Sequence, residues 1–515
     1  MKRLWPPHGG FFVCGCFLCK FYYETPLAQI KEKKMILFIS LLICSNFLLA
    51  GGIKNHQQVQ EATALFEIWI EAQRDYQQLP GLTMAVVHDQ ETIWSGGYGY
   101  ANPYKQISSS NTTIHSICSI SKLFTGIAVM QLRDQEKLHL DDPLSKHLPW
   151  FNIKNTYPEW GMATIRNILT HSSGLPRESD YPYWTGPDFP FPSSEKIVKK
   201  LSNQETLYPA DKYFQYSNLG LSLAGEVIAA VSGIPFNDFI QDNILQPLVM
   251  TDTRPVMPKS LYGDQLAIGH EALNRTGERP AVALFNAKGI GPAAGFSSTA
   301  SDLAKFASWQ FRVLDGKDEV LKPNTLREMH RVHFLDEDWS PAWGLGFSIW
   351  KSDEKKFIGH GGSCPGYRSQ LLLQTDRKIA TIFMTNASGV NARMYAQKAY
   401  EIYESAISDA VAKKKPKLLK NRFKKYLGHY SDAPWGGESV VVSWEGQLAI
   451  LNLPTESPLD VTKLHYVSGN TFKRIRNSED SKHLQILGEE IKFEVDRSGN
   501  VIAVWQHSNY SKKIK

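Results

Sequence analysis

Residues 56–412 open with a helix and a hairpin and close with strands and a helix, and this order constrains the fold more than any single motif. At the start, Val59, Ala62, Leu65, Ile68 and Ile70 recur at roughly helical spacing until Pro80-Gly81 stops the run. Residues 83–88 and 92–98 are rich in β-formers and flank the turn Asp89-Gln90-Glu91, which predicts a hairpin. At the far end, residues 343–350, 356–359, 369–374 and 379–385 alternate or run apolar as strands do, and 392–411 read as a long helix. The pattern predicts one sheet closed by both ends of the domain, with a mixed, loop-rich insertion over residues 140–290. Residues 219–230 are the clearest helix of that insertion, and 302–311 read as another.

A second pattern follows the basic run Lys413-Lys414-Lys415-Pro416-Lys417, which reads as a linker over 413–425. From 426 to 515, about eight short β-like runs are separated by turn signals such as Glu445-Gly446, Ser468-Gly469-Asn470 and Ser498-Gly499. A small antiparallel barrel or sandwich suits them.

The apolar fraction of 42% and charged fraction of 21% are those of a soluble globular protein. The net charge of +6 is concentrated at the N-terminus: beyond residue 50, 51 Lys/Arg face 49 Asp/Glu. That excludes the footprint of a nucleic-acid binder. Residues 35–50, preceded by Lys31, Lys33 and Lys34, form a basic flank with a short apolar run, as a secretory signal does. Residues 1–50 are therefore expected to be a leader, cleaved or kept as an anchor, with a secreted or periplasmic chain from 51 to 412 and beyond. Cys14, Cys16, Cys19 and Cys44 lie in that leader, which leaves Cys118, beside Ser119, and Cys364, just after His360-Gly361-Gly362-Ser363; they can lie near each other in space, but two separate buried thiols is the preferred reading.

Ser119-Ile120-Ser121-Lys122 stands at the head of the apolar run 123–130. A serine and a lysine three residues apart share a helix face. In the first turn, the helix dipole favours a developing oxyanion, and an apolar wall strips the lysine of proton affinity. That combination activates a hydroxyl. Ser193 with Lys196 and Ser352 with Lys355 repeat the spacing, but neither opens an apolar helix, and both read as solvated surface. Tyr216-Ser217-Asn218 precedes the helix predicted from Leu219; a phenolate beside an ammonium group can take a proton, and the amide can hold a carbonyl or the lysine. Tyr100-Ala101-Asn102 has the same pattern but closes a strand, so it reads as structural. His360-Gly361-Gly362 follows a predicted strand; its glycines admit a close backbone, the Ser363 amide can pair with that of Ser119 as oxyanion donors, and His360 can donate to a substrate carbonyl or carboxylate. His330 and His333, near Asp336 and Asp338, lack a catalytic zinc pattern and read as ordinary helix and loop residues.

With S-x-x-K, Y-x-N and H-x-G in this order, the chain resembles the serine β-lactamase-related family, in its class C-like branch of DD-carboxypeptidases, D-aminopeptidases and esterases. Leu140-Asp141-Asp142-Pro143, the stretch 165–175, Gly295-Phe296-Ser297-Ser298-Thr299 and Trp343-Gly344-Leu345-Gly346 carry the resemblance further, over about residues 56–412. Lys463-Leu464 and Gly469-Asn470-Thr471-Phe472 resemble the lipocalin-like appendages of such hydrolases. The resemblance implies an α+β fold of β-lactamase/transpeptidase type: an antiparallel sheet flanked by helices, a helical subdomain, then a small all-β barrel. It makes Ser119 the acyl-accepting nucleophile, Lys122 and Tyr216 the general base, His360 a catalytic neighbour, and Asn218, Gly361, Gly362 and Ser363 the substrate-binding set. His171 is expected to be structural. No metal or cofactor is implied.

Histidine replaces the lysine that β-lactamases of this branch carry, and a histidine is mostly neutral near pH 7. The expected activity is hydrolysis of D-amino-acid peptides or small esters, cell-wall derived in some cases, with weak or no β-lactam hydrolysis. A penicillin-binding sensor without turnover, a β-lactamase, and a barrel that binds an apolar ligand or peptide are the alternatives.

Overall fold

The computed structural model describes residues 52–476 and 486–515, so the predicted leader and its cysteines lie outside the described residues. Helix α1 (Gln57–Tyr76) turns Val59, Ala62, Leu65, Phe66, Trp69 and Ile70 inward. Strands β1 (Gly81–His88) and β2 (Glu91–Asn102) form the predicted hairpin. Helices α2 (Ser121–Asp134), α3 (Asn218–Ser232) and α4 (Ala300–Leu314) follow, with short helices and loops between them. Strands β3 (Ser348–Ser352), β4 (Lys355–Cys364), β5 (Tyr367–Gln374) and β6 (Ile379–Thr385) then precede helix α5 (Ala392–Val411).

These strands join one antiparallel sheet in the order β2-β1-β6-β5-β4-β3, extended by two-residue strands at each edge. The first and last strands of the domain thus meet at its centre, with Leu82 opposite Thr385 and His88 opposite Ile379. The strand period of two sends Leu82, Met84 and Val86 into a core under α1 and α5, and Ala85 and Val87 into the core of the helical layer. Both faces are covered, so β1 is apolar at nearly every position instead of alternating.

Two details differ from the expectation. The strand predicted over 343–350 is broken, because Gly344 lies so close to the Met329 and Arg331 carbonyls that a Cβ would clash, and Gly346 has φ +83°. Ser193 accepts from the Lys196 amide and caps a helix, Ser194–Leu201, whose Ile197 and Leu201 are buried. Serine there is a cap, and the solvated-surface reading missed the helix behind it.

The C-terminal region is a closed barrel of eight antiparallel strands: β7 (Gly428–Ser431), β8 (Glu438–Trp444), β9 (Gln447–Leu453), β10 (Val461–Ser468), β11 (Thr471–Arg476), β12 (Ile486–Val495), β13 (Val501–Gln506) and β14 (Asn509–Lys513). Tyr430 opposite Lys513 closes it. Tyr426, Tyr430, Phe472 and Phe493 fill the interior, with the Tyr426 and Phe493 rings 4.5 Å apart. Side chains occupy the space that the apolar-ligand reading needed. Val440, Val442, Leu451 and Leu453 face outward and join the core under α1 and α5. Ser443 donates to Glu61 at 2.6 Å, and the Trp69 indole donates to the Thr455 carbonyl at 3.0 Å. The barrel therefore packs as part of the same core, not as a loose appendage.

Candidate active site

Ser119 lies in a 3-10 turn, Cys118–Ile120, immediately before α2. Cys118 holds φ +49°, a left-handed conformation that costs a non-glycine residue energy and persists only where its surroundings fix it. They do so here. Ser121 caps the turn by donating to the Cys118 carbonyl at 2.5 Å, and its hydroxyl accepts from the Phe296 amide at 3.0 Å. Cys118 is also disulfide-bonded to Cys364 at the end of β4. This corrects the expectation of two separate thiols: 246 residues part them in sequence, yet their Cα atoms are 5.7 Å apart. The bond ties the residue before Ser119 to the residue after Ser363.

One turn along α2, Lys122 is fully buried, and its Nζ has three polar neighbours: Ser119 Oγ at 3.2 Å, Asn218 Oδ1 at 2.8 Å and the Ala293 carbonyl at 2.8 Å. Burial holds the amine well below its usual pKa; the Glu178 carboxylate pulls it back up and Arg177 pushes it further down. A neutral amine has two N–H bonds and one lone pair. The two carbonyl oxygens can only accept, so they take the N–H bonds and leave the lone pair facing the Ser119 hydroxyl. Tyr216 behaves oppositely. Burial pushes its phenol above the usual range, against a hydrogen bond with Ser119 and the Arg177 guanidinium, which lies 4.9 Å from the ring centre. Of the two groups expected to share the general-base duty, burial makes a neutral Lys122 amine easier to reach and a Tyr216 phenolate harder.

Tyr216 is held from below by His171. Helix Ile165–Thr170, with its Thr164–Asn167 capping box, ends on His171 at φ +57°. The imidazole Nδ1 accepts from the Ser217 amide at 3.1 Å, and its ring lies 4.3 Å from that of Tyr216. His171 is thus the structural residue expected.

Asn218 opens α3 and is buried. Its Oδ1 accepts from Lys122, and its Nδ2 donates to Glu178 Oε1 at 2.6 Å. Glu178 in turn accepts from the Tyr183 hydroxyl. The carboxylate fixes which way the amide points, since only the Nδ2 end can donate to it. Glu178 was not singled out from the sequence. The only signal was its place just after the 165–175 stretch, within the loop-rich insertion.

The His360-Gly361-Gly362-Ser363 segment does not follow a strand; it lies within β4, because β5 continues the pairing through Tyr367 opposite Cys364. β3 stops pairing at Gly359, so one edge of β4 is open over 360–364. Gly362 lies close against the Ile117 carbonyl, where a Cβ would clash, and Gly361 and Ser363 are exposed. His360 is buried beside Trp343 and Tyr216, with ring centres at 5.5 and 6.3 Å. Its Nδ1 lies 2.6 Å from the Gly361 carbonyl, and burial lowers its pKa to about 3. A neutral His360 donates to its own strand through Nδ1, which leaves Nε2 without a donor proton for substrate.

A cleft of about 280 Å³ opens over Ser119, lined also by Arg177, Glu178, Asn218, Ser363 and Arg368. Lys122, Tyr216 and His360 stand behind this wall. His330 pairs with Gln310, and His333 sits between Arg166 and the Glu328 carbonyl. Among the described residues no group of three or more His, Cys, Asp or Glu is placed to hold a metal ion.

A serine in the turn before a helix, beside a desolvated lysine and facing an open strand edge, is the arrangement of a serine hydrolase. The chain belongs to the Beta-lactamase family, whose profile matches residues 66–403. It is 28% identical over 408 residues to Beta-lactamase-like protein 2 of Dictyostelium discoideum, covering 74% of this chain and 72% of that one. It is 25% identical over 315 residues to Protein flp of Staphylococcus aureus, spanning 60% of each chain. The fold is shared with the octameric penicillin-binding protein homologue of Pyrococcus abyssi (TM-score 0.59, 22% identity, 87% of this chain and 100% of that one). It is also shared with a D-stereospecific amidohydrolase from Streptomyces sp. (TM-score 0.54, 22% identity, 65% and 97%).

Proposed function

We propose that this chain is a secreted serine hydrolase that works through an acyl-enzyme on amide or ester bonds, in the class C-like branch of its family. The observation that carries the reading is the Lys122 Nζ, desolvated and 3.2 Å from Ser119 Oγ with its N–H bonds already committed. Lys122 accepts the Ser119 proton as Oγ attacks the carbonyl. The amides of Ser119 and Ser363 receive the oxyanion. Tyr216, protonated and hydrogen-bonded to Ser119, relays a proton to the leaving group; water then attacks the acyl-enzyme with Lys122 again as base. Asn218 positions the lysine more than the substrate. His360 shapes the wall between Tyr216 and Trp343, and the open edge of β4 at Gly361 to Ser363 receives the substrate backbone.

D-amino-acid peptides and small esters are the proposed substrates, with weak β-lactam hydrolysis. The uncharged His360 and the fold shared with a D-stereospecific amidohydrolase support this choice. The disulfide supports an oxidising, extracytoplasmic compartment. The barrel is proposed to be the lipocalin-like appendage of such hydrolases, joined by a linker over 413–425.

The test is intact mass after separate treatment with a fluorophosphonate and a penicillin. A fluorophosphonate adduct present in the parent and absent in Ser119→Ala is expected, with no lasting penicillin adduct. A lasting penicillin adduct moves the reading to a penicillin-binding sensor; an adduct that survives Ser119→Ala overturns it.

A further inference from the structure

A cavity larger than the catalytic cleft lies at one end of the barrel. Its volume of about 510 Å³ falls in the range of small-molecule sites, about 300–1,000 Å³. Its floor is a single hydrogen-bonded network that runs from one carboxylate through hydroxyls and amides to the Arg474 guanidinium. Asp432 accepts from Ser439 at 2.6 Å and from Ser511 at 2.7 Å. Gln506 donates to Ser439 at 3.1 Å and accepts from Arg474 at 2.8 Å, and Asn452 Oδ1 lies 2.9 Å from the Ser439 hydroxyl. Ser439, Gln506 and Ser511 are buried, so the floor is fixed before any ligand arrives.

Two features go beyond what closing a barrel end requires. Among the described residues the Arg474 Nε is buried without a hydrogen-bond partner, and burial lowers the pKa of that guanidinium. A buried donor left unmade costs free energy that a ligand acceptor would return. Above the floor, the Trp435 side chain is 81% exposed, on a turn pinned by its own amide to the Asp432 carbonyl at 2.9 Å. Tyr510, 44% exposed, lines the same cavity. An exposed indole on a fixed turn is an aromatic platform that lacks its partner.

The ligand must then offer an apolar face to rings and hydrogen-bonding groups to amides and hydroxyls. An acyl chain leaves the polar floor unanswered, and an anion meets the Asp432 carboxylate. A sugar ring has both faces: its C–H bonds stack on Trp435 and Tyr510, while its hydroxyl or acetamido groups reach Asn452, Asn509 and Arg474. We infer that the open end of the barrel is a saccharide-binding site, built from Trp435, Tyr510, Asn452 and Arg474 over the Asp432 network.

The inference is independent of the chemistry at Ser119. The full chain is titrated by calorimetry with N-acetylglucosamine trimer and with maltotriose. One trimer is expected to bind at a single site, and Trp435→Ala to weaken it about tenfold or more, about 1.4 kcal/mol. Because Trp435 is on the surface, that variant keeps the fold, and its hydrolysis of a small ester is expected to equal the parent's. Arg474→Gln is the second variant and is expected to weaken the same trimer. No heat from either trimer up to about 10 mM, or equal affinity in parent and Trp435→Ala, overturns the inference.

Discussion

The cleft at Ser119 and the floor of the barrel cavity both bury polar groups, in opposite ways. Around Asp432 the charge is met by two hydroxyl donors, and the network beyond them passes through Gln506 to the Arg474 guanidinium. Around Ser119 an amine is stripped of water, its N–H bonds are spent on two carbonyls, and the Nε2 of His360 is buried with no partner among the described residues. The first arrangement can exist at any proton count near neutrality. The second works only when Lys122 is neutral, so burial there is coupled to protonation, and the cost in stability is the source of reactivity.

The largest effect should separate the two regions outright. Lys122→Met keeps the volume, removes the base, and is expected to lower kcat/KM on a small ester about 10³-fold. Ser439→Ala, equally buried, takes a donor from Asp432 and is expected to cost about 1–3 kcal/mol of stability while leaving ester hydrolysis unchanged. Ester kinetics and urea unfolding of both variants give the answer. If Ser439→Ala lowers kcat/KM as Lys122→Met does, the two regions are not separate.

A smaller effect sharpens the account of the cleft. Glu178 raises the proton affinity of Lys122 and orients the Asn218 amide. Glu178→Gln keeps a side chain that can accept from Asn218 but loses the charge, so Lys122 should lose its proton at lower pH. The acid limb of kcat/KM is expected to move to lower pH, with kcat/KM at its plateau falling about tenfold or less. A limb that stays in place would mean that Glu178 acts only as a hydrogen-bond acceptor.

How far the sequence reached follows the same division. The hairpin, the helix over 392–411 and the strand over 379–385 were legible because their periodicity is local, and eight turn-separated runs became eight strands. Ser119, Lys122, Tyr216 and Asn218 were legible because short motifs mark where helices begin. The disulfide was only half legible: its cysteines flank two site motifs, which brings them near each other, but with its ends 246 residues apart no local pattern reports a bond. Glu178 carries no motif; its importance is a single hydrogen bond to another segment. His360 was identified as a residue of the site, but its side-chain direction depends on β4 continuing through it, which two adjacent glycines hid. The outward apolar face of β8 and β9 carries no motif, and only the packing shows that it completes the core under α1 and α5.

The smallest expected effect concerns stability and tests whether unpaired imidazoles outside the cleft carry the same coupling to protons. His330 is buried against Phe347, its Nδ1 has no partner among the described residues, and burial lowers its pKa to about 3. His115, with a pKa lowered to about 4, and His360 are in the same condition. The unfolded chain binds a proton at each of these near pH 6.5, and the folded chain refuses it until pH falls to about 3–4. Stability should therefore be full above pH ~6.5 and fall as pH drops below it, by up to about 1.4 kcal/mol per pH unit for each histidine. His330→Gln removes one of these protons from the unfolded state without touching the cleft. Urea midpoints taken near pH 7 and near pH 5 should then differ less in the variant than in the parent, with ester hydrolysis near pH 7 unchanged. Equal differences in variant and parent would show that His330 takes up its proton in the fold, and that buried nitrogen would then need a partner that its surroundings do not supply.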